Sequence, residues 1–319
     1  MPQARLWVIA IIVGSIFLLS LPTFSQPYTT TASVLDLGMG ARPLGMGEAF
    51  VGLADDGNAI FYNPAGLAWS QGLNILSSYE TRPGIANYGH ISGCLSHFGF
   101  GMHYFDFGSV PKIDEFGNVL GSFSYRNYIL IAGVGVKGSV LPFLGQVPVF
   151  RDIAFGVRVK FLRVDTLVPG NGGSFAADLS LLLRSDWPSF AWPFITGYGL
   201  GFFLKNFVGL PLRYASGHQE NWSKKVVMGF SIELMGRVIL ATDFANNTGL
   251  RLGLEWNPLP GLAVRGGLRN EGVYIWSFGL GVEFANFSLD YAFVAHPHLS
   301  DQHRLSFCVV LKSVRIIKL

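Results

Sequence analysis

Residues 153–161 read Ile-Ala-Phe-Gly-Val-Arg-Val-Lys-Phe, a strict alternation of large apolar with small or charged side chains. Period two is the signature of a β-strand, whose successive side chains leave opposite faces. One face is Ile153, Phe155, Val157, Val159 and Phe161, and the other is Ala154, Gly156, Arg158 and Lys160. The same pattern recurs further on. Val226, Met228, Phe230, Ile232 and Leu234 alternate with Val227, Gly229, Ser231 and Glu233. Leu250, Leu252, Leu254 and Trp256 alternate with Arg251, Gly253, Glu255 and Asn257. Tyr274, Trp276, Phe278, Leu280, Val282 and Phe284 oppose Ile275, Ser277, Gly279, Gly281 and Glu283. Near the end, Leu305, Phe307, Val309 and Leu311 oppose Arg304, Ser306, Cys308 and Val310.

A soluble β-sandwich alternates too. Two details favour a membrane barrel. The apolar face is unbroken and aromatic-rich over roughly the 9–11 residues a tilted strand needs to cross a bilayer. The opposite face is rich in Gly, Ser and Ala, and its charges come in both signs. Arg158, Lys160, Arg184, Lys205, Arg251, Arg265, Arg269 and Arg304 are matched by Asp178, Glu233, Asp243, Glu255, Glu283 and Asp290, as a crowded lumen of paired charges requires. The chain is 50% hydrophobic and 13% charged, with 40 Gly, and its mean hydropathy is +0.39. Only one segment, Leu6–Leu21, is long and apolar. In lipid only helices and closed barrels satisfy their backbone polar groups, so hydrophobicity spread over short segments points to a barrel.

Counting the runs predicts an all-β fold, a transmembrane antiparallel β-barrel of about fourteen strands. They fall near 72–79, 86–95, 98–107, 124–137, 152–165, 173–184, 196–206, 223–235, 237–245, 248–256, 261–269, 273–284, 286–294 and 303–312. An even count leaves both barrel ends on the periplasmic side, where turns such as Gly236 and Ala285-Asn286 are short. The stretches 138–151 and 185–195 are long and apolar where short turns are expected. Longer outward connections are predicted at 108–123, 207–222 and 295–302.

Leu6–Leu21 follows Arg5 and ends at Pro22, with Thr23 and Ser25 at the −3 and −1 positions of a cut after Ser25. Its roughly 16 apolar residues fall short of the ~20 a spanning helix needs, and the flanks fit a cleaved export signal better than an uncleaved anchor. The expected division is a signal peptide at 1–25, a plug segment at 26–70 and the barrel at 71–319, in the outer membrane. The formal net charge of +3 is too weakly basic to argue for nucleic acid, and no nucleic-acid partner is expected. Membrane lipid is the partner the apolar face requires.

Cys94 and Cys308 fall on the second and last strands, facing inward with one strand between them, ~9–10 Å apart in the pairing direction. That is too far for a disulfide without distortion. Gly133-Val134-Gly135-Val136-Lys137-Gly138 matches a dinucleotide fingerprint, but prolines 142 and 148 follow where a helix must start. His296-Pro297-His298, with Asp301 and His303, offers no convergent metal geometry, and no metal or cofactor is expected. His90, Ser92 and His97 are the nearest approach to a Ser–His pair, with no nucleophile elbow around any Ser, so no catalytic residue is assigned.

Residues 33–68 read differently, as SVLDLGMGARPLGMGEAFVGLADDGNAIFYNPAGLA. Gly38, Gly40, Gly45 and Gly47 break regular structure, a short helix is predicted around 46–54 and a turn around 55–61. Asn63-Pro64-Ala65-Gly66 forms a turn before the first strand. The segment is too small for its own core and is expected in the lumen or across its periplasmic mouth. Asp55 and Asp56 suit capping and turn formation better than cation binding.

This block resembles the N-terminal signature of the PorV/PorQ family, within the FadL-like superfamily of outer-membrane proteins. The matching residues are Gly40-Ala41-Arg42-Pro43-Leu44-Gly45-Met46-Gly47-Glu48-Ala49-Phe50, Ala54-Asp55-Asp56 and Tyr62-Asn63-Pro64-Ala65-Gly66-Leu67-Ala68. Residues 156–165, 175–184 and 301–307 resemble that family's strands. The resemblance implies a fourteen-stranded barrel with an N-terminal plug and no catalytic residues. It makes Arg42, Pro43, Gly45, Gly47, Glu48, Asp55, Asp56, Asn63, Pro64 and Gly66 the candidate plug residues. Two roles follow from it: passage of hydrophobic compounds in the FadL manner, with a hydrophobic small molecule as ligand, or a type IX secretion accessory of PorV type, with a secreted protein or secretion channel as partner. A soluble all-β binding module or enzyme is the third and least favoured class.

Overall fold

The computed structural model describes residues 38–70, 72–82, 86–147, 150–166, 170–186, 192–246, 249–298 and 300–311. The expected signal peptide, the start of the 26–70 segment and residues 187–191 of the 185–195 stretch lie outside the described residues.

Among the described residues, sixteen strands follow in chain order. They are β1 (Leu73–Arg82), β2 (Ala86–Leu95), β3 (Phe98–Ile113), β4 (Val119–Lys137), β5 (Ile153–Asp165), β6 (Gly172–Asp186), β7 (Ile195–Gly209), β8 (Leu212–Tyr214), β9 (Gln219–Glu220), β10 (Lys225–Leu234), β11 (Val238–Ala245), β12 (Gly249–Leu259), β13 (Leu262–Asn270), β14 (Tyr274–Phe284), β15 (Phe287–Ala295) and β16 (Gln302–Leu311). Each of β1–β7 and β10–β16 pairs antiparallel with its neighbours, and β1 pairs with β16, so fourteen strands close on themselves. Closure leaves no free edge in the wall. The chain is an all-β transmembrane barrel, as its periodicity predicts.

The alternation sets which side chains see lipid. Along β5, Val157 and Val159 are exposed while Arg158 and Lys160 are buried. Along β14, Trp276, Phe278, Leu280 and Val282 are exposed and Ile275 and Ser277 buried. Cys94 and Cys308 are both buried and free, and β1 separates their strands. The turns at one end are tight. Ala285-Asn286 joins β14 to β15 with Ala285 at φ 54°, and Met235–Arg237 joins β10 to β11 with Gly236 at φ 64°. Positive φ at such positions matches the twist of the flanking strands.

Two outward connections differ from expectation. Most of 108–123 is strand: the β3–β4 hairpin runs on past β2 and β5 to a turn at Asp114–Asn118. A bulge between Asp106 and Ser109, with Gly108 at φ 70°, interrupts its register but not its pairing. Turn formers there signal the tip alone. Asp114 Oδ1 accepts the N–H of Phe116 at 2.9 Å and of Asn118 at 2.8 Å. The Asn118 side-chain amide and these N–H groups hold the Asp114 carboxyl below its ordinary range. The 207–222 stretch likewise contains the end of β7 and the β8–β9 hairpin, which adds to the edge of β6 at Gly172 and Gly173. In 138–151, two short 3-10 turns, Gly138–Val140 and Leu144–Gln146, leave Phe143 exposed.

Candidate functional site

Residues 38–70 lie against the inward face of the barrel, and most of them are buried. They form α1 (Ala41–Gly45), α2 (Ala59–Tyr62) and a 3-10 helix at Pro64–Trp69. The helix predicted at 46–54 does not form. Gly47 sits at φ 60°, Glu48 at φ 63° and Ala54 at φ 30°, so the backbone turns repeatedly where a helix requires negative φ.

The small lumen-facing residues are there because the inner segment's backbone rests on them. A Cβ added at Gly229 would lie 2.3 Å from the Gly52 nitrogen. Where the wall is Ser it bonds the segment directly. Ser306 Oγ accepts the Ala41 N–H at 2.8 Å, Ser277 Oγ the Gly47 N–H at 3.0 Å and Ser180 Oγ the Ala65 N–H at 3.0 Å. Ser231 Oγ donates to the Gly52 carbonyl at 2.9 Å. Asp243 Oδ2 accepts the N–H groups of Phe50 and Val51 at 2.8 and 2.9 Å.

The candidate residues fall into three groups. Arg42, Asp55 and Asp56 meet each other. Arg42 Nη1 lies 2.6 Å from Asp55 and 3.0 Å from Asp56, and its Nε donates to Glu255 at 2.8 Å. Asp56 Oδ1 also accepts the Asn58 N–H at 2.7 Å, the local turn expected of it. The two aspartates thus spend their charge on an arginine that sequence spacing did not connect to them.

Glu48 stands alone, between Arg251 at 3.3 Å and Arg269 in closer contact. The remaining residues shape backbone. The Pro43 carbonyl accepts the N–H groups of Met46 and Glu48. The Gly45 carbonyl accepts from Ser277, and Gly66 packs on the Ala54 carbonyl. Asn63 caps the 3-10 helix that Pro64 opens, accepting the Ala65 N–H, while its Nδ2 donates to Val51 and to Leu181 in the wall.

Of the lumen charges read from sequence, Arg158 and Lys160 pair with Asp178, and Arg265 with Glu255 and Asp290. Arg304 instead pairs with Glu80, which the pattern did not single out. Glu283 is exposed near the end of β14, where it helps line the cavity described below. Gly133 and Gly135 lie on β4 and face Ile60 and Pro64 of the inner segment. Ser92 Oγ donates to the Gly57 carbonyl, so it does not engage His90.

Two features flank the inner segment. Toward the short turns lies a cavity of about 760 Å³ lined by Arg42, Asp55, Asp56, Trp69, Glu255 and Asp290 among others. On the outward side runs a ladder of rings along β2, β3 and β4. Tyr125 meets Phe107 at 5.0 Å between centroids, Phe107 meets Phe105 at 4.5 Å, and Phe105 meets Tyr88 at 5.7 Å. Tyr88 meets His103 at 4.3 Å, His103 meets His90 at 6.4 Å, and His90 meets Phe61 of α2 at 5.2 Å. Phe107 is 38% exposed and Phe105 6%, so the ladder leads from solvent into the interior. Sequence reading missed it, although inward alternation on β2 and β3 places Tyr88, His90, His103 and Phe105 on one face.

The barrel fold is shared with solved structures. The chain is similar to the Pseudomonas putida toluene transporter TodX, with 12% identity, 85% of this chain and 97% of that one covered, and a TM-score of 0.53. It is similar also to the CymD monoaromatic hydrocarbon channel, with 13% identity, 86% and 98% covered, and a TM-score of 0.53. At such identity the likeness is one of fold. No family model and no curated protein matches the chain.

Proposed function

We propose that this chain is an outer-membrane barrel of FadL type that passes hydrophobic compounds, aromatic ones in particular, and makes or breaks no covalent bond. In this reading 1–25 is a cleaved export signal, 26–70 a plug and 71–319 the barrel. The carrying observation is the ring ladder from Tyr125 and Phe107 down to Phe61. Offset and edge-on ring contacts contribute about 0.5–1.5 kcal/mol each beyond area burial, so a flat apolar solute can exchange one ring contact for the next as it descends. The Arg42 and Glu48 ion pairs hold the plug beneath the ladder, and onward passage to the 760 Å³ cavity requires the solute to move past that plug.

The test is uptake of radiolabelled toluene by cells displaying the chain. Wild type is expected to exceed cells without it, and Phe107→Ala with Tyr125→Ala is expected to lower uptake at unchanged barrel abundance. Uptake no faster than in cells without the chain sinks the reading.

One feature favours a second reading, a type IX secretion accessory of PorV type. The β3–β4 hairpin carries exposed Ile113, Phe116, Val119 and Leu120 at its tip, an apolar patch suited to protein contact. Co-purification of a secreted protein or a large channel with wild type, lost on replacing Phe116 and Leu120 by Ser, would favour it.

A further inference from the structure

His90 on β2 and His103 on β3 are directly opposed in the ladder register, and both point inward. They are 4% and 0% exposed, and none of their four ring nitrogens has a hydrogen-bond partner among the described residues. Ser78 on β1, opposite His90, is also buried and its hydroxyl has no hydrogen-bond partner among the described residues, whereas three other polar neighbours are committed elsewhere. The Tyr88 hydroxyl donates to the Gly38 carbonyl, the Ser92 hydroxyl to the Gly57 carbonyl, and the Arg304 guanidinium to Glu80 and the Gly38 carbonyl. A buried polar atom without a partner is destabilising, and four such atoms at one spot in an otherwise apolar ladder call for a function.

From this juxtaposition we infer that His90 and His103 form the selectivity element of the passage, a site for uncharged aromatic compounds that carry a hydroxyl group. The inference rests on the barrel being an aromatic passage. A neutral imidazole offers one N–H and one bare nitrogen, so two opposed rings present a donor and an acceptor together. A phenolic hydroxyl needs both, since it donates one hydrogen bond and accepts another. The two ring centroids are 6.4 Å apart and the ring planes are inclined by 27°, which brings both imidazoles within reach of one ligand hydroxyl group. Phe61 meets His90 edge-on and Tyr88 meets His103 edge-on, so aromatic rings flank both imidazoles. A carboxylate is disfavoured because the nearby cation, Arg304, is already paired with Glu80. A site built to bond a hydroxyl discriminates against the analogue that lacks a proton to give.

The test uses the full chain, folded in detergent, with phenol, anisole and toluene as probes in calorimetric titrations. Anisole is phenol with its proton replaced by methyl. The ratio of anisole to phenol dissociation constants is expected to be about tenfold larger in wild type than in the His90→Phe, His103→Phe double variant. Toluene is expected to bind the double variant at least as well as wild type. Should the double variant not fold, His103→Leu alone carries the same comparison. An unchanged ratio with all three probes binding overturns this inference and leaves the passage reading standing. Failure of all three to bind wild type overturns both.

Discussion

Arg42 and Glu255 meet through two parallel hydrogen bonds, Nε to Oε2 at 2.8 Å and Nη2 to Oε1 at 3.0 Å, which tie α1 to β12. The fork fixes orientation as well as distance. Arg42 also holds Asp55 and Asp56, so one side chain joins two turns of the inner segment to the wall. Removing one partner of a buried ion pair costs about 3–5 kcal/mol, because the other charge is left unpaired. Arg42→Ala and Glu255→Ala are each expected to raise amide hydrogen exchange across 41–57, and the double variant to fall well short of the summed effects. Additive effects would mean the two residues do not act together.

A second expectation concerns backbone packing. A Cβ at Gly229 would stand 2.3 Å from the Gly52 nitrogen, and one at Gly52 would stand 2.7 Å from the Gly229 carbonyl carbon. Neither clash can be relieved by turning a side chain. Gly229→Ala is expected to displace the inner segment and expose it to protease in an otherwise folded barrel. Gly266→Ala is the control, since a Cβ there meets nothing within 4 Å. Equal protease resistance of the two variants would contradict the close contact.

The barrel was legible because a strand with lipid on one side and lumen on the other must alternate, and Val157/Arg158 or Leu254/Glu255 state the two environments side by side. The inner segment was legible only as an exception to that pattern. Its residues were found through a resemblance, and their partners were not, since Glu48 meets Arg251 and Arg269 more than 200 positions away. Long-range pairing has no local signal. The predicted 46–54 helix failed because Glu48 and Ala54 adopt positive φ under tertiary constraint, which propensity does not register. The ring ladder was missed for a related reason. Tyr88, His90, His103 and Phe105 alternate as any inward residues do, and only the β2–β3 register brings His90 opposite His103.

Asp243 gives a third expectation. One of its oxygens accepts two backbone N–H groups, from Phe50 and Val51, at the point where the segment turns against β11. Asp243→Ala strands both donors in a buried site, at about 1–3 kcal/mol each. Asp243→Asn keeps a carbonyl oxygen that can accept both. Hydrogen exchange at Phe50 and Val51 should therefore rise strongly in the Ala variant and return most of the way in the Asn variant. If Asn behaves like Ala, charge and not acceptance by Asp243 holds this turn.

The last expectation tests which face meets lipid. Leu280 lies midway along β14, exposed beside the buried Gly279, while Phe284 ends the strand and is 79% exposed. The cost of a cation on the lipid face depends on depth, about 2–4 kcal/mol at the bilayer midplane and about 0–1 near the interface. Leu280→Arg is therefore expected to lower stability in lipid vesicles, measured by denaturant unfolding, by the larger amount, and Phe284→Arg by the smaller. In detergent micelles, whose apolar layer deforms more readily around a charge, the gap between the two variants should narrow. A reversed order in vesicles would place the membrane band elsewhere along the strand, and equal small effects would mean that Leu280 does not face lipid.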